Sequence, residues 1–220
     1  MTASQMACGV PMISFAGDGF RVPNSVEFIL EKKQHGFSDV HYEVSDVNKI
    51  IFLQADSSYM TLYRKIVMRN SAGFPILTIR EKAITGQKWL VLGGESSEKS
   101  QPLCTVQRSR FAPMKTRLDV FLAGKIDEDI SEFQVVGSNH PSQSYRVYKG
   151  DTIIAEYVYT GYFLALLSVQ VNHNSTRRSF CQGRKENFGV KVRSGVDYAF
   201  ILALIITVLE CFSKFRSLSS

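Results

Sequence analysis

The run from Ser194 to Phe212, Ser-Gly-Val-Asp-Tyr-Ala-Phe-Ile-Leu-Ala-Leu-Ile-Ile-Thr-Val-Leu-Glu-Cys-Phe, limits the possible folds more than any other stretch. No charge falls between Asp197 and Glu210, and apolar side chains point in every direction around a helical wheel. Such a helix cannot rest one face on a core with the other in water, so it must be surrounded. The uncharged part, Tyr198 to Leu209, is twelve residues long, well below the roughly 20 needed to cross a bilayer. The surroundings are therefore protein, and Val196, Tyr198, Phe200, Ile201, Leu204, Ile205 and Val208 are the expected core residues of a central helix. Ser194, three residues before Asp197, has capping-box form and predicts the helix start.

What surrounds the helix is written as strands. Val26, Phe28 and Leu30 alternate with Glu27 and Glu31, and Val40, Tyr42 and Val44 alternate with His41, Glu43 and Ser45, the period of a half-buried strand. Asp46 to Lys49 and Asn70 to Gly73 read as turns between hairpin partners. Further strands are expected at 50–53, 62–69, 74–80, 88–92, 103–109, 116–122, 132–137, 144–149 and 152–158, with a last one around Phe188, Val190 and Val192. A helical turn fits after Lys82. The pattern predicts about twelve strands. A helix with side chains is roughly 10–12 Å across, and a barrel of about eight strands has room only for its own side chains. The expected fold is thus mainly β, a closed antiparallel barrel of about twelve strands around a buried C-terminal helix. One domain is expected over residues 21–212, preceded by a flexible segment at 1–20 and followed by a tail at 213–220.

Composition adds less. With 45% hydrophobic and 21% charged residues the chain is globular in type. A balance of 26 basic against 20 acidic residues gives a net charge of +6, which favours anionic partners. Cys8, Cys104, Cys181 and Cys211 are widely scattered, which argues against a zinc site or disulfide framework and for a reducing compartment. Neither a secretory leader nor a lipidation motif is visible, so membrane contact would come from the folded surface.

Four pieces of the chain stand in a recognisable order: Thr78-Ile79-Arg80-Glu81-Lys82, Lys88-Trp89 with Gly93-Gly94, Lys115-Thr116-Arg117-Leu118-Asp119-Val120-Phe121-Leu122, and Asn187-Phe188 leading to Val196-Asp197-Tyr198-Ala199-Phe200-Ile201. Together they resemble the plant LURP-one-related family over roughly residues 20–212. The resemblance implies the tubby C-terminal-like fold, shared with tubby-like proteins and phospholipid scramblases. It also implies binding of phosphorylated phosphoinositides by basic barrel residues, membrane-tethered regulation of transcription and a link to pathogen defence. It supplies no catalytic residues. One departure is the apolar stretch Gly161-Tyr-Phe-Leu-Ala-Leu-Leu-Ser-Val-Gln-Val171, an insertion near 159–174 where relatives have a short basic turn. Three readings stay open for it: an extra strand, a mobile loop or translated non-coding sequence. The tail is also more basic than the resemblance leads one to expect.

For chemistry, Arg108, Arg110, Lys115 and Arg117 form the first candidate site. Residues two apart on a strand face one side, so two basic pairs from adjoining strands could clamp a phosphorylated headgroup; the bland reading is a solvated outer face. Arg80, Lys82 and Lys88 are a second candidate. Arg177, Arg178, Arg184 and Lys185 read as a basic loop beside the insertion. His35, His41, His140 and His173 are isolated, Asp127, Glu128, Asp129 and Glu132 lack the spacing of a calcium loop, and Gly93-Gly94 lacks a phosphate-loop lysine. Asp119 reads as a structural acid. Trp89 and the aromatic strands could line a cavity, but a helix filling the barrel places any ligand outside. The expectation is a non-enzymatic monomer with no cofactor or metal, which binds an acidic phospholipid headgroup or a protein partner and makes no specific nucleic-acid contact. Its expected place is the cytoplasm, at the inner plasma membrane, and the nucleus. The alternatives are a scramblase-like lipid-translocating protein and a purely protein-binding scaffold.

Overall fold

A computed structural model describes residues 14–35, 39–58, 63–82, 88–95, 100–109, 116–124, 130–137, 144–160 and 184–216. Among these residues the strands are β1 (Val26–His35), β2 (Asp39–Ser45), β3 (Ile51–Ser58), β4 (Lys65–Asn70), β5 (Pro75–Glu81), β6 (Lys88–Gly93), β7 (Cys104–Arg108), β8 (Arg117–Leu122), β9 (Phe133–Gly137), β10 (Ser144–Lys149), β11 (Thr152–Tyr159) and β12 (Arg184–Val192), followed by one helix, α1 (Tyr198–Arg216). Each strand pairs antiparallel with the next, and β1 pairs with β12 from Val26↔Val192 to Gln34↔Arg184, which closes the sheet into a barrel. The expected architecture is the one found. The apolar stretch 161–171, the turn expected after Lys82 and the basic run Arg177-Arg178 lie outside the described residues.

Alternation decides which side of each strand faces in. Phe28 and Leu30, Tyr42 and Val44, Leu53 and Ala55, Ile66 and Met68, Leu77 and Ile79, and Trp89 and Val91 are all buried in one core. The helix fills the space they enclose. Val196, Phe200, Ile201, Leu204, Ile205 and Val208 are buried together with Ala199, Leu202, Ala203 and Ile206, so burial runs right round the helix. Tyr198 is only partly buried and packs against Phe20, Phe28 and Phe52 at one end of the barrel. Among the described residues no helix is long and apolar enough to cross a membrane.

Two expectations at that end are corrected. Ser194 does not cap the helix: α1 begins at Tyr198, and Asp197 is the cap, its Oδ1 accepting from the Phe200 amide at 3.1 Å. The segment before Phe20 is not free along its whole length either. The Phe15 and Ala16 amides donate to Asp197 Oδ2 at 2.8 and 2.7 Å, and the Phe15 ring lies 4.2 Å from that of Phe200. Val22 exchanges backbone hydrogen bonds with Val196 and Gly195. Residues 14–22 thus plug the barrel at the helix N-terminus, because a buried carboxylate with lone pairs to spare offers their amides partners that water cannot supply there.

Candidate functional site

The other end of the interior is polar. Glu210, fully buried on the last part of α1, accepts a hydrogen bond from the Tyr42 hydroxyl of β2 and forms an ion pair with Arg64, just before β4. Lys32 of β1 stands 4.0 Å from the same carboxylate and 5.8 Å from the Tyr42 ring. Glu81, at the end of β5, exchanges a backbone bond with Arg64 and accepts from its amide at 3.4 Å. Burial, reinforced by the Glu210 charge, pushes the Tyr42 hydroxyl well above its usual value. Burial lowers the Arg64 guanidinium, opposed by Tyr42 and Glu81. Arg64 and Lys32 face Glu210 and Glu81, and Glu186 of β12, in register with Lys32, also acts on Tyr42, so the buried Glu210 meets its counter-charges inside the barrel and ties the helix end to the wall.

Charge is distributed differently on the outside of the barrel. Across β12, β1, β2, β3 and β4 runs a belt of pairs: Lys185 to Glu31 (3.4 Å), Glu31 to Lys33 (3.2 Å), Lys33 to Glu43 (3.3 Å), His41 to Asp56 (2.7 Å), and Asp56 to Arg69 (3.9 Å), with Arg69 also 3.9 Å from Glu95. Partial burial alone would raise the Glu31 carboxyl, but Lys33 and Lys185 overcome it and hold the group low. His41, read from the sequence as isolated, therefore has a carboxylate beside it, contributed by a strand that the sequence places 15 residues away.

The outward cations of β5 and β6 stand differently. Arg80 of β5 lies directly opposite Lys65 of β4 on one side and Leu90 of β6 on the other. Two residues on, the Lys82 amide donates to the Lys88 carbonyl at 2.8 Å, which sets those two side by side. The core residues of β4, β5 and β6 are Ile66 and Met68, Leu77 and Ile79, and Trp89 and Val91, so Lys65, Arg80, Lys82 and Lys88 all project outward. Among the described residues none of the four is in an ion pair. Strands lie about 4.8 Å apart and residues two apart on a strand about 7 Å, so the four cations occupy a compact patch on one wall. Like charges placed directly opposite each other destabilise a sheet, and among the described residues no carboxylate forms an ion pair with any of the four.

The first sequence candidate is divided by the barrel wall. Arg108 pairs in register with Leu118 and shares its inward face, with the guanidinium 5.8 Å from the Phe212 ring. Arg117 is on the outward face of β8, where its Nε donates to Asp119 at 3.0 Å. These two arginines do not converge on one ligand, and Arg110 and Lys115 lie outside the described residues. Arg80, Lys82 and Lys88 are brought together, and Lys65 joins them, a residue that sequence reasoning missed because only strand pairing sets it opposite Arg80. Among the described residues no group of His, Cys, Asp and Glu is arranged to hold a metal ion.

Comparison with known proteins places this geometry in a family. The model of LURP-one-related proteins matches residues 26–209. The chain belongs to the LURP-one-related family. From Arabidopsis thaliana, Protein LURP-one-related 14 is 37% identical over 91% of this chain and 91% of its own length, Protein LURP-one-related 15 is 32% identical over 84% and 79%, and Protein LURP1 is 30% identical over 88% and 87%. None of these LURP-one-related proteins bears the name of an enzyme. An X-ray structure of a protein from Arabidopsis thaliana superposes with a TM-score of 0.61 at 25% identity, covering 89% of this chain and 96% of that one. The barrel around a helix is thus shared beyond this LURP-one-related chain.

Proposed function

We propose that this chain is a non-enzymatic docking domain that binds the polyanionic headgroups of acidic phospholipids, phosphoinositides in particular, through the outer wall of β4, β5 and β6. The observation that carries this reading is the set Lys65, Arg80, Lys82 and Lys88, four outward cations in adjacent register positions, none of them in an ion pair among the described residues. A multiply phosphorylated headgroup offers several anionic oxygens to such a patch, and Arg80 can engage one phosphate through two parallel hydrogen bonds. The resemblance to tubby-like domains, which bind phosphoinositides through basic barrel residues, points the same way. Defence-linked regulation from the inner face of a membrane is the setting this implies. Among the described residues the one long apolar helix is already enclosed by the barrel, so it lends a lipid-translocating role no support.

The test is co-sedimentation with phosphatidylcholine vesicles, with and without phosphatidylinositol bisphosphate, at low and physiological salt. Each basic residue near an acidic surface contributes about 1 kcal/mol, so Arg80→Glu with Lys82→Glu should weaken binding about thirtyfold or more. Wild-type binding should fall as salt rises. Phosphoinositide binding that survives the double reversal in a folded variant would overturn the reading.

A further inference from the structure

Two hairpin turns at the end of the barrel opposite the polar cluster are built to one plan. In the β2–β3 turn, Asp46 Oδ1 accepts from the Asn48 and Ile50 amides, both at 2.8 Å, and Lys49 takes the left-handed conformation at φ +64°. In the β4–β5 turn, Asn70 Oδ1 accepts from the Ala72 and Phe74 amides at 3.1 and 2.9 Å, and Gly73 takes the same conformation at φ +84°. Each turn therefore holds the fifth residue of its loop in a fixed place, and in each that residue is a large hydrophobe in solvent. Ile50 is 59% exposed and Phe74 68%, with Val47 at 74% beside them. The two hairpins are neighbours, since β3 pairs with β4 through Leu53↔Asn70.

Three exposed apolar side chains on rigid, adjacent tips are costly in water. Because they are carried on two separate turns, Val47 and Ile50 on one and Phe74 on the other, a protein partner would need a matching recess for each turn. The interfacial region of a bilayer takes such wedges without any complementary shape. Charge identifies the occupant as an acidic bilayer. Phe74 is the tip of the hairpin whose other end carries Lys65 and Arg80 about 20 Å away and Lys82 about 26 Å away at the rise of a β-strand. Lys49 adds a cation between Val47 and Ile50. Of the nearby acids, Asp46 is occupied by backbone amides, and Asp56 and Glu95 each lie 3.9 Å from Arg69.

We infer that the barrel lies on its side on an acidic phospholipid bilayer, with the β4–β5 hairpin along the surface, the basic patch on headgroups and Phe74, Ile50 and Val47 entering the interface. This rests on the headgroup-docking reading and adds to it an apolar, salt-insensitive contact and an orientation. The chain has a single tryptophan, Trp89, and it is fully buried, so a Phe74→Trp variant places one new fluorophore at a tip.

The variant is mixed with vesicles of phosphatidylcholine containing phosphatidylinositol bisphosphate, the phosphatidylcholine being brominated or not, with wild-type protein as the baseline. Emission added by Phe74→Trp should shift to the blue on binding and be quenched by brominated chains, while Trp89 emission stays constant. Phe74→Ser with Ile50→Ser should weaken vesicle affinity about tenfold or more without changing its salt dependence. Vesicle binding with no quenching of the tip, or binding unchanged in the double serine variant, would overturn the insertion and leave headgroup docking intact. Absence of vesicle binding by the wild type would overturn both.

Discussion

Replacing Glu210 with glutamine removes one charge from a closed interior cluster and almost no volume. Glu210 is fully buried, and Arg64 and Lys32 beside it are 7% and 8% exposed. Glutamine still accepts the Tyr42 hydroxyl, so the change isolates the charge. Removing one partner of a buried pair costs about 3–5 kcal/mol because the other is left uncompensated. Glu81 stays close to Arg64, its Oε2 3.4 Å from the Arg64 amide, which puts the expected loss at the lower end, about 3 kcal/mol. For a chain of this size that lowers Tm by about 6–12 °C. Urea and thermal unfolding followed by circular dichroism read this directly. Adding Arg64→Met removes the stranded cation, so the double variant should regain about 1–2 kcal/mol over Glu210→Gln alone. A single variant within about 1 kcal/mol of wild type, or a double variant that loses the sum of the two single losses, would refute the electrostatic account.

Asp197→Ala removes the helix cap and strands the Phe15 and Ala16 amides, so it should cost about 3 kcal/mol or more and speed hydrogen exchange at those two amides; unchanged protection there would show that the plug holds by packing alone. Burial pushes the Cys104 thiol up to about 12. The unfolded chain therefore loses this proton first, binds fewer protons than the folded one, and stability falls as pH rises above about 9, by about 4 kcal/mol in total by pH 12. Tyr42, raised in the same direction, adds to the fall above its ordinary range. Urea unfolding between pH 9 and 11 should show a shallower decline for Cys104→Ala than for wild type, and parallel curves would count against the thiol as the cause.

Period-two alternation made the barrel legible because each strand turns one face to the core, although on β4, β5 and β6 the outward Val67, Thr78, Leu90 and Leu92 are buried as well, and the all-round apolarity of residues 198–209 made the helix legible because such a surface must be enclosed. What failed were relations between distant segments. Asp197 and Glu210 look like the charged ends of an apolar run, yet both are fully buried. The partners that allow this lie 182 and 168 positions away, at Phe15 and Tyr42. Same-face reasoning was sound within a strand, but the relation of Arg108 to Arg117 depends on the β7–β8 register, which periodicity does not contain. Lys65 was missed for the same reason. The apolar tips had a local signal, an Asp or Asn four residues before an isoleucine or phenylalanine in a turn, which reads as ordinary turn chemistry until exposure is known.

Closure of the sheet and filling of its interior together limit where a ligand can be recognised. A closed barrel has no free edge, so an extended peptide has no strand to pair with. The helix occupies the interior, and at its polar end Glu210 is already held by Arg64, Lys32 and Tyr42. Recognition is left to the outer wall and the turns. On that wall every lysine and arginine of the belt from Lys185 to Glu95 faces a carboxylate, whereas Lys65, Arg80, Lys82 and Lys88 repel one another. Such repulsion lowers the stability of the free protein and is relieved when an anion sits among the cations, so part of the binding free energy is set up in the folded chain before any ligand arrives. The same holds for Phe74, Ile50 and Val47, whose exposure disfavours the free state and is relieved at an interface. Both unfavourable features lie along the β4–β5 hairpin and its neighbours, and the single acidic lipid surface proposed above would relieve both.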